Sequence, residues 1–136
     1  ICIEMTESGF MDMTSSFCRF RKTLDENGIH FVIDDFGTGY SNLHCIRDMN
    51  PSYIKRTGIY GEGDEQRAGD YELFKNIASM VHSIGVRICA EGIEEREWCR
   101  KMKEMQVDYL QGYLFGRPCR KEQFIRETGC CTLSDF

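Results

Sequence analysis

The sequence predicts an α/β fold of parallel strands joined by helices. Three observations carry this. Short apolar runs rich in β-branched and aromatic residues recur along the chain, segments of helical period lie between them, and each run leads into a charged or amide residue. The runs alternate only weakly between apolar and polar, as expected of parallel strands buried on both faces, and the connections should be right-handed crossovers.

The first apolar run is Ile1–Ile3. Phe10, Met13, Phe17, Phe20 and Leu24 follow at intervals of three and four, one face of a helix that Asn27-Gly28 ends. Ile29–Ile33 is the second strand, and Leu43, Ile46 and Met49 mark a shorter helix that ends before Pro51. Tyr53–Ile54 is the third. Gly58–Gly69 is polar and holds four glycines, so it reads as a surface loop. A helix over about Asp70 to Ile84 turns Leu73, Phe74, Ile77, Met80, Val81 and Ile84 inward, and Gly85 closes it. Val86–Ala90 is the fourth strand, a helix from near Glu94 carries Trp98, Met102 and Met105, and Val107–Leu110 is the fifth strand.

Composition sets outer bounds. The 136 residues hold 17 Lys and Arg against 22 Asp and Glu, a formal net charge of -5, which disfavours a DNA-binding role because such a role needs a basic face. No apolar run approaches the roughly 20 residues of a membrane span, and no secretory leader is expected. Eight cysteines show neither a Cys-x-x-Cys nor a zinc-ligand spacing with His30, His44 or His82. Cys2 and Cys89 in strands, and Cys18, Cys45 and Cys99 in helices, are expected to be buried free thiols in a reducing cytoplasm.

The informative positions follow the apolar runs: Glu4, Asp34-Asp35, Lys55, Glu91 and Gln111. In a parallel α/β fold the C-terminal strand ends share one face, so these groups should converge. Several carboxylates brought together repel unless a cation neutralises them, and hard oxygen donors suit Mg²⁺ or Mn²⁺. A lysine among them would hold a phosphate oxygen or orient an attacking water, chemistry that suits phosphodiester hydrolysis. Behind the acidic pair, Phe36-Gly37-Thr38-Gly39-Tyr40-Ser41 supplies two glycines for a sharp turn and two hydroxyls, a candidate switch loop.

Four segments then resemble one family. Glu4-Met5-Thr6-Glu7-Ser8, Asp34-Asp35-Phe36-Gly37-Thr38-Gly39-Tyr40-Ser41, Ala90-Glu91-Gly92-Ile93-Glu94 and Gln111-Gly112-Tyr113-Leu114-Phe115-Gly116-Arg117-Pro118 resemble, in order and spacing, the EAL domain of bacterial cyclic di-GMP phosphodiesterases. The resemblance implies a TIM-like (β/α) barrel, with this chain its C-terminal half of about five parallel strands. It implies hydrolysis of cyclic di-GMP to linear pGpG with Mg²⁺ or Mn²⁺. Glu4, Asp34 and Asp35 then correspond to metal ligands, Lys55 to the lysine that orients water or phosphate, and Glu91 to the catalytic glutamate that acts as general base or holds a second metal. Gln111 and Glu94 correspond to supporting groups and Glu7 to the anchor of the glycine loop. Simpler readings stay open for Glu7 and Glu94 as helix-start acids, for Arg117 as a structural residue, and for Tyr113 and Phe115 as packing groups.

Two departures accompany the resemblance. Where the family reads Lys-x-Asp, this chain reads Lys55-Arg56-Thr57, and a hydroxyl is a far weaker metal ligand than a carboxylate. The Glu-Ala-Leu segment and an asparagine ligand expected upstream are absent, so residues 1–136 are expected to be a partial EAL domain, inactive alone. Its exposed barrel edges should drive dimerisation or other self-association. The parent is expected to carry an upstream sensor or diguanylate cyclase domain, and upstream segments could tether it to a membrane. The competing reading is a degenerate module that binds cyclic di-GMP or a protein without turnover. A phosphoacceptor receiver domain also pairs acids with a lysine, but needs an aspartate-bearing strand between them that this chain lacks.

Overall fold

A computed structural model of the chain describes residues 1–6, 17–37, 46–47, 49–57 and 64–128. Five strands, β1 (Cys2–Thr6), β2 (His30–Asp34), β3 (Tyr53–Arg56), β4 (Arg87–Ala90) and β5 (Tyr109–Leu110), form one sheet in sequential order. Every neighbouring pair is parallel. Among the described residues four helices of eight residues or more accompany it: α1 (Phe17–Glu26), α2 (Asp64–Ser83), α3 (Arg96–Glu104) and α4 (Lys121–Thr128). Sequential order with parallel pairing is the winding of a (β/α) barrel.

The period-2 geometry of the strands sorts their side chains onto two faces. Phe31 and Ile33 of β2, Ile54 of β3, and Ile88 and Ala90 of β4 join Leu24, Phe74, Ile77, Val81, Trp98 and Met102 of the helices in one core. Burying a large apolar side chain contributes about 1.5–3 kcal/mol, so this helix-covered face holds the sheet together. Phe17, Phe20 and Phe31 add edge contacts at ring separations of 5.5–6.4 Å. Gly28 and Gly85 end α1 and α2 at positive φ, the left-handed geometry of a helix C-terminus.

Several expectations are revised. Helix α2 begins at Asp64, so residues 64–69 of the expected loop are helical. One internal glycine costs only about 1 kcal/mol against alanine, and Glu65, Gln66, Arg67 and Ala68 are good helix formers. Leu73 is 49% exposed. The inward face of α2 is set by Phe74, Ile77, Ala78 and Val81, and Leu73 sits one helical step, about 100°, off it. Helix α3 starts at Arg96, two residues late, with Met105 as its C-cap. Helix α4 carries no apolar stripe strong enough to be read from sequence. Cys89 and Cys99 are buried, but Cys2 and Cys18 are exposed: Cys2 lies on the sheet face opposite the core, which no helix among the described residues covers. Phe10, Met13, Leu43 and Cys45 lie outside the described residues.

Candidate active site

The second sheet face carries the chemistry. Reading across it, alternation presents Cys2, Glu4 and Thr6 of β1, His30, Val32 and Asp34 of β2, Tyr53 and Lys55 of β3, Arg87 and Cys89 of β4, and then Glu91 and Gln111 just past β4 and β5. Near the N-terminal strand ends this face holds a cleft of about 450 Å³ lined by His30, Ser52, Tyr53, Arg87, Cys89, Tyr109, Leu110 and Gln111. Arg87 donates to the Tyr109 hydroxyl at 2.8 Å, and the Tyr53 and Tyr109 rings lie 5.2 Å apart.

Further along the strands stands a three-residue ion cluster. Lys55 Nζ donates to Glu91 Oε1 at 2.6 Å and to Glu4 Oε2 at 2.9 Å. Lys55 and Glu91 are buried, whereas the Glu4 side chain is 40% exposed. Burial alone would pull the Lys55 pKa down, but the bonds and charges of Glu91 and Glu4 outweigh it and hold the ammonium above the usual lysine range. The lysine is therefore a fixed cation joining carboxylates from β1 and the end of β4. Cys89, beneath it on the same face, has its thiol pushed up to about 12, chiefly by burial, and stays protonated.

The acidic pair forms a tight turn beside this cluster. Asp35 has φ 53 and Gly37 φ 81, so two of the turn's residues are left-handed; for the non-glycine Asp35 this costs on the order of 1–3 kcal/mol. The Asp35 amide donates to Asp34 Oδ1 at 2.9 Å, and the Phe36 amide to the Lys55 carbonyl at 3.0 Å. Thr57 Oγ1 donates to Asp35 Oδ1 at 2.7 Å, so the residue that leaves β3 touches the acidic pair. The Glu91 amide donates to the Arg56 carbonyl at 3.0 Å, and the Gln111 amide to Ala90 at 2.8 Å. Gly112 lets this last segment approach closely, since a Cβ there would collide with the Ile93 backbone.

Glu4, Lys55 and Glu91 are thus brought together, with Asp34 and Asp35 on the adjoining strand end. Three placements correct the expectation that these groups follow their strands. Glu4 is the third residue of β1, Lys55 the third of β3 and Asp34 the last of β2. The strands run on through polar residues because the ladder, not hydropathy, defines their length. Gln111 lines the cleft, and Glu94 is exposed before α3; among the described residues neither pairs with Lys55. Phe36 is core, and Phe115 packs against the core. Tyr113 is exposed rather than packed, with the Arg117 guanidinium 4.6 Å from its ring centre. Glu7, Thr38, Gly39, Tyr40 and Ser41 lie outside the described residues.

Comparison with known proteins decides what this arrangement is. The EAL domain profile matches residues 1–118. The chain belongs to the EAL domain family. A curated relative, cyclic di-GMP phosphodiesterase PdeB of Shewanella oneidensis, is 28% identical over 118 residues, covering 87% of this chain and 14% of PdeB. The EAL fold aligns with the PaMucR phosphodiesterase in its c-di-GMP complex at TM-score 0.76 and 28% identity, covering 90% of this chain and 50% of that one. It also aligns with Klebsiella pneumoniae BlrP1 in a manganese and cyclic di-GMP complex at TM-score 0.70 and 30% identity, over 87% of this chain and 30% of BlrP1. The chain therefore spans half of the PaMucR chain and a seventh of PdeB. The five-stranded parallel sheet is part of the family's TIM-like barrel. No helix among the described residues is long and apolar enough to cross a membrane.

The residue that sequence reasoning missed is Arg56, next to Lys55 in β3. Arg56 reaches behind the acidic turn, donating to the Phe36 carbonyl at 2.7 Å. The sequence met it only as the middle residue of Lys55-Arg56-Thr57, with nothing to mark its burial.

Proposed function

We propose that this chain is the C-terminal part of an EAL domain whose parent protein hydrolyses cyclic di-GMP to linear pGpG. The observation that carries the reading is the buried Lys55 held between Glu91 and Glu4 across the sheet, on the face and in the order of the family motifs. An uncovered face that includes the 40%-exposed Tyr109 supports the further reading that the remaining strands of the barrel pack over it. The chain alone is then expected to lack activity and to self-associate through β1 and β5, the outer strands of the sheet.

The donor set fits a hard divalent cation. Its side chains are carboxylates, the nearby Cys89 thiol is held protonated, and His30 is engaged with Ser52 at 3.1 Å. Among the described residues no three acidic, histidine or cysteine side chains are already gathered into a cluster; Glu4 and Glu91 are instead spaced by the lysine. Glu4, Asp34 and Asp35 would hold Mg²⁺ or Mn²⁺, which would polarise the phosphodiester and lower the pKa of bound water. Lys55 fixes the orientation of both glutamates and presents positive charge to a phosphate oxygen. Glu91 would accept a proton from the attacking water, and Glu94 and Gln111 would support the substrate or that water. The test is incubation of the full-length protein with cyclic di-GMP and Mg²⁺ or Mn²⁺: pGpG is expected, and its absence would sink the reading.

A second reading is favoured by one contact. Thr57 gives Asp35 a hydroxyl donor at 2.7 Å where the family pattern would place a carboxylate, and this supports a module that binds cyclic di-GMP, or a protein, without turnover. Calorimetry with metal present separates the two, since a sensor would bind nucleotide and release no product.

A further inference from the structure

Arg56 points away from the catalytic face. It is only 8% exposed, on the helix-covered side of β3, where its neighbours are apolar. Its Nη1 donates to the Phe36 carbonyl at 2.7 Å in a buried bond. The same guanidinium lies against Gly37 Cα so closely that a Cβ on Gly37 would collide with it, while Ile77 of α2 closes the other side at 3.5 Å from that position. Its Nε is buried and finds no hydrogen-bond partner among the described residues. Burial lowers its pKa, and the charge of Asp70 on α2 only partly opposes that.

A guanidinium in this setting is expensive to desolvate, and a methionine of similar reach would fill the space without that cost. The contacts show what it does. Phe36 is the pivot of a turn with left-handed residues on either side, Asp35 and Gly37. Both backbone polar groups of Phe36 are taken by β3: its amide by the Lys55 carbonyl and its carbonyl by Arg56. Next along, Thr57 holds the Asp35 carboxylate, and the Arg56 carbonyl accepts the Glu91 amide.

We propose that Arg56 is a positioning residue that locks the left-handed Asp34–Gly37 turn onto β3, and so aims the acidic pair at the face that carries Lys55 and Glu91. The lock stands on these contacts alone; only what the aimed carboxylates bind rests on the phosphodiesterase reading. Three consecutive residues of β3 and its exit then have distinct tasks. Lys55 joins the two glutamates, Arg56 holds the backbone of the turn, and Thr57 holds one of its side chains.

Arg56→Met and Arg56→Lys in the full-length protein test this, with amide exchange read over residues 34–37 and, as control, over β4. Loss of a buried, charge-assisted bond predicts a fall in protection of the turn by roughly ten- to a hundred-fold in Arg56→Met. Protection of β4 should stay unchanged, and Mn²⁺ affinity should fall in parallel. Arg56→Lys keeps the charge and one donor and should lie between Arg56→Met and wild type; it is the variant to read should Arg56→Met not fold. Unchanged turn protection, or a loss spread equally over β4, would overturn the proposal. A loosened turn in a protein whose wild type takes up no Mn²⁺ would keep the lock and remove the phosphodiesterase reading instead.

Discussion

Lys55 Nζ lies 2.6 Å from Glu91 Oε1, a direct ion pair with both side chains almost out of solvent. Glu4, on the far side of the lysine, remains 40% exposed and makes the longer bond at 2.9 Å. The pair is therefore asymmetric: Glu91 is buried together with Lys55, while Glu4 also has water. Removing the lysine with Lys55→Met should cost about 3–5 kcal/mol, because it breaks a buried ion pair by deleting one partner. Urea unfolding measures this. Glu4→Gln should cost no more than about 1 kcal/mol, as for an exposed pair.

The same pair sets an alkaline limit. Burial lowers the Lys55 pKa, but the bonds to Glu91 and Glu4 raise it further than burial lowers it, so the folded value lies above the unfolded one. Its stabilisation is complete below the unfolded lysine pKa of about 10.4 and is lost as pH rises through the folded value. The stability gap between wild type and Lys55→Met should be constant from neutral pH to roughly pH 10 and should narrow above it. A gap that narrowed near neutrality would contradict the assignment.

Thr57 is the position at which the chain leaves the family pattern, and its hydroxyl bond to Asp35 can be exchanged for a carboxylate. Without metal, Thr57→Asp should lose about 1 kcal/mol, from the lost bond and the repulsion beside Asp35. Added Mn²⁺ should return that loss and raise the thermal midpoint above that of wild type under the same conditions. Differential scanning fluorimetry with EDTA and with Mn²⁺ reads both. A metal response no larger than that of wild type would show that position 57 faces no cation.

Thiol chemistry should follow burial. Cys2, Cys18 and Cys119 are exposed, and Cys89 and Cys99 are buried, with the Cys89 thiol pushed up to about 12. Brief alkylation of the folded protein near pH 8, read by peptide mass spectrometry, should modify the first three and spare Cys89 and Cys99. Early labelling of Cys89 would contradict its burial beside Lys55.

Gly112→Ala tests the last segment of the site. A Cβ there would run into the Ile93 backbone, which cannot swing aside as a side chain would. A cost of about 1–3 kcal/mol is expected from the forced shift, along with displacement of Gln111, whose amide is fixed on Ala90 at 2.8 Å. Chemical denaturation gives the first and substrate affinity the second.

The sequence made the winding legible, because Phe31 and Ile33, Ile54, and Ile88 and Ala90 lie in apolar runs separated by helical stripes. It marked Glu4, Lys55 and Glu91 as well, although it took strand ends from hydropathy and so placed Glu4, Asp34 and Lys55 past strands that in fact contain them. A ladder continues wherever backbone partners exist, whatever the side chain. The start of α2 was hidden by Gly63 and Gly69, and the exposure of Leu73 by a stripe broad enough to admit it. Arg56 was hidden for a different reason. A charge in a strand reads as a solvent-facing position, and its role exists only through Phe36 and Gly37, some twenty residues away in the chain.

The most direct test of the account is product analysis with full-length wild type and Glu91→Gln, each incubated with cyclic di-GMP and Mn²⁺. Wild type should accumulate linear pGpG and stop on addition of EDTA, while Glu91→Gln should bind the nucleotide but lose at least about a hundred-fold in rate, as expected when a general base is removed. Binding of cyclic di-GMP by wild type with no pGpG, or equal rates in the two proteins, would contradict a catalytic Glu91–Lys55–Glu4 site.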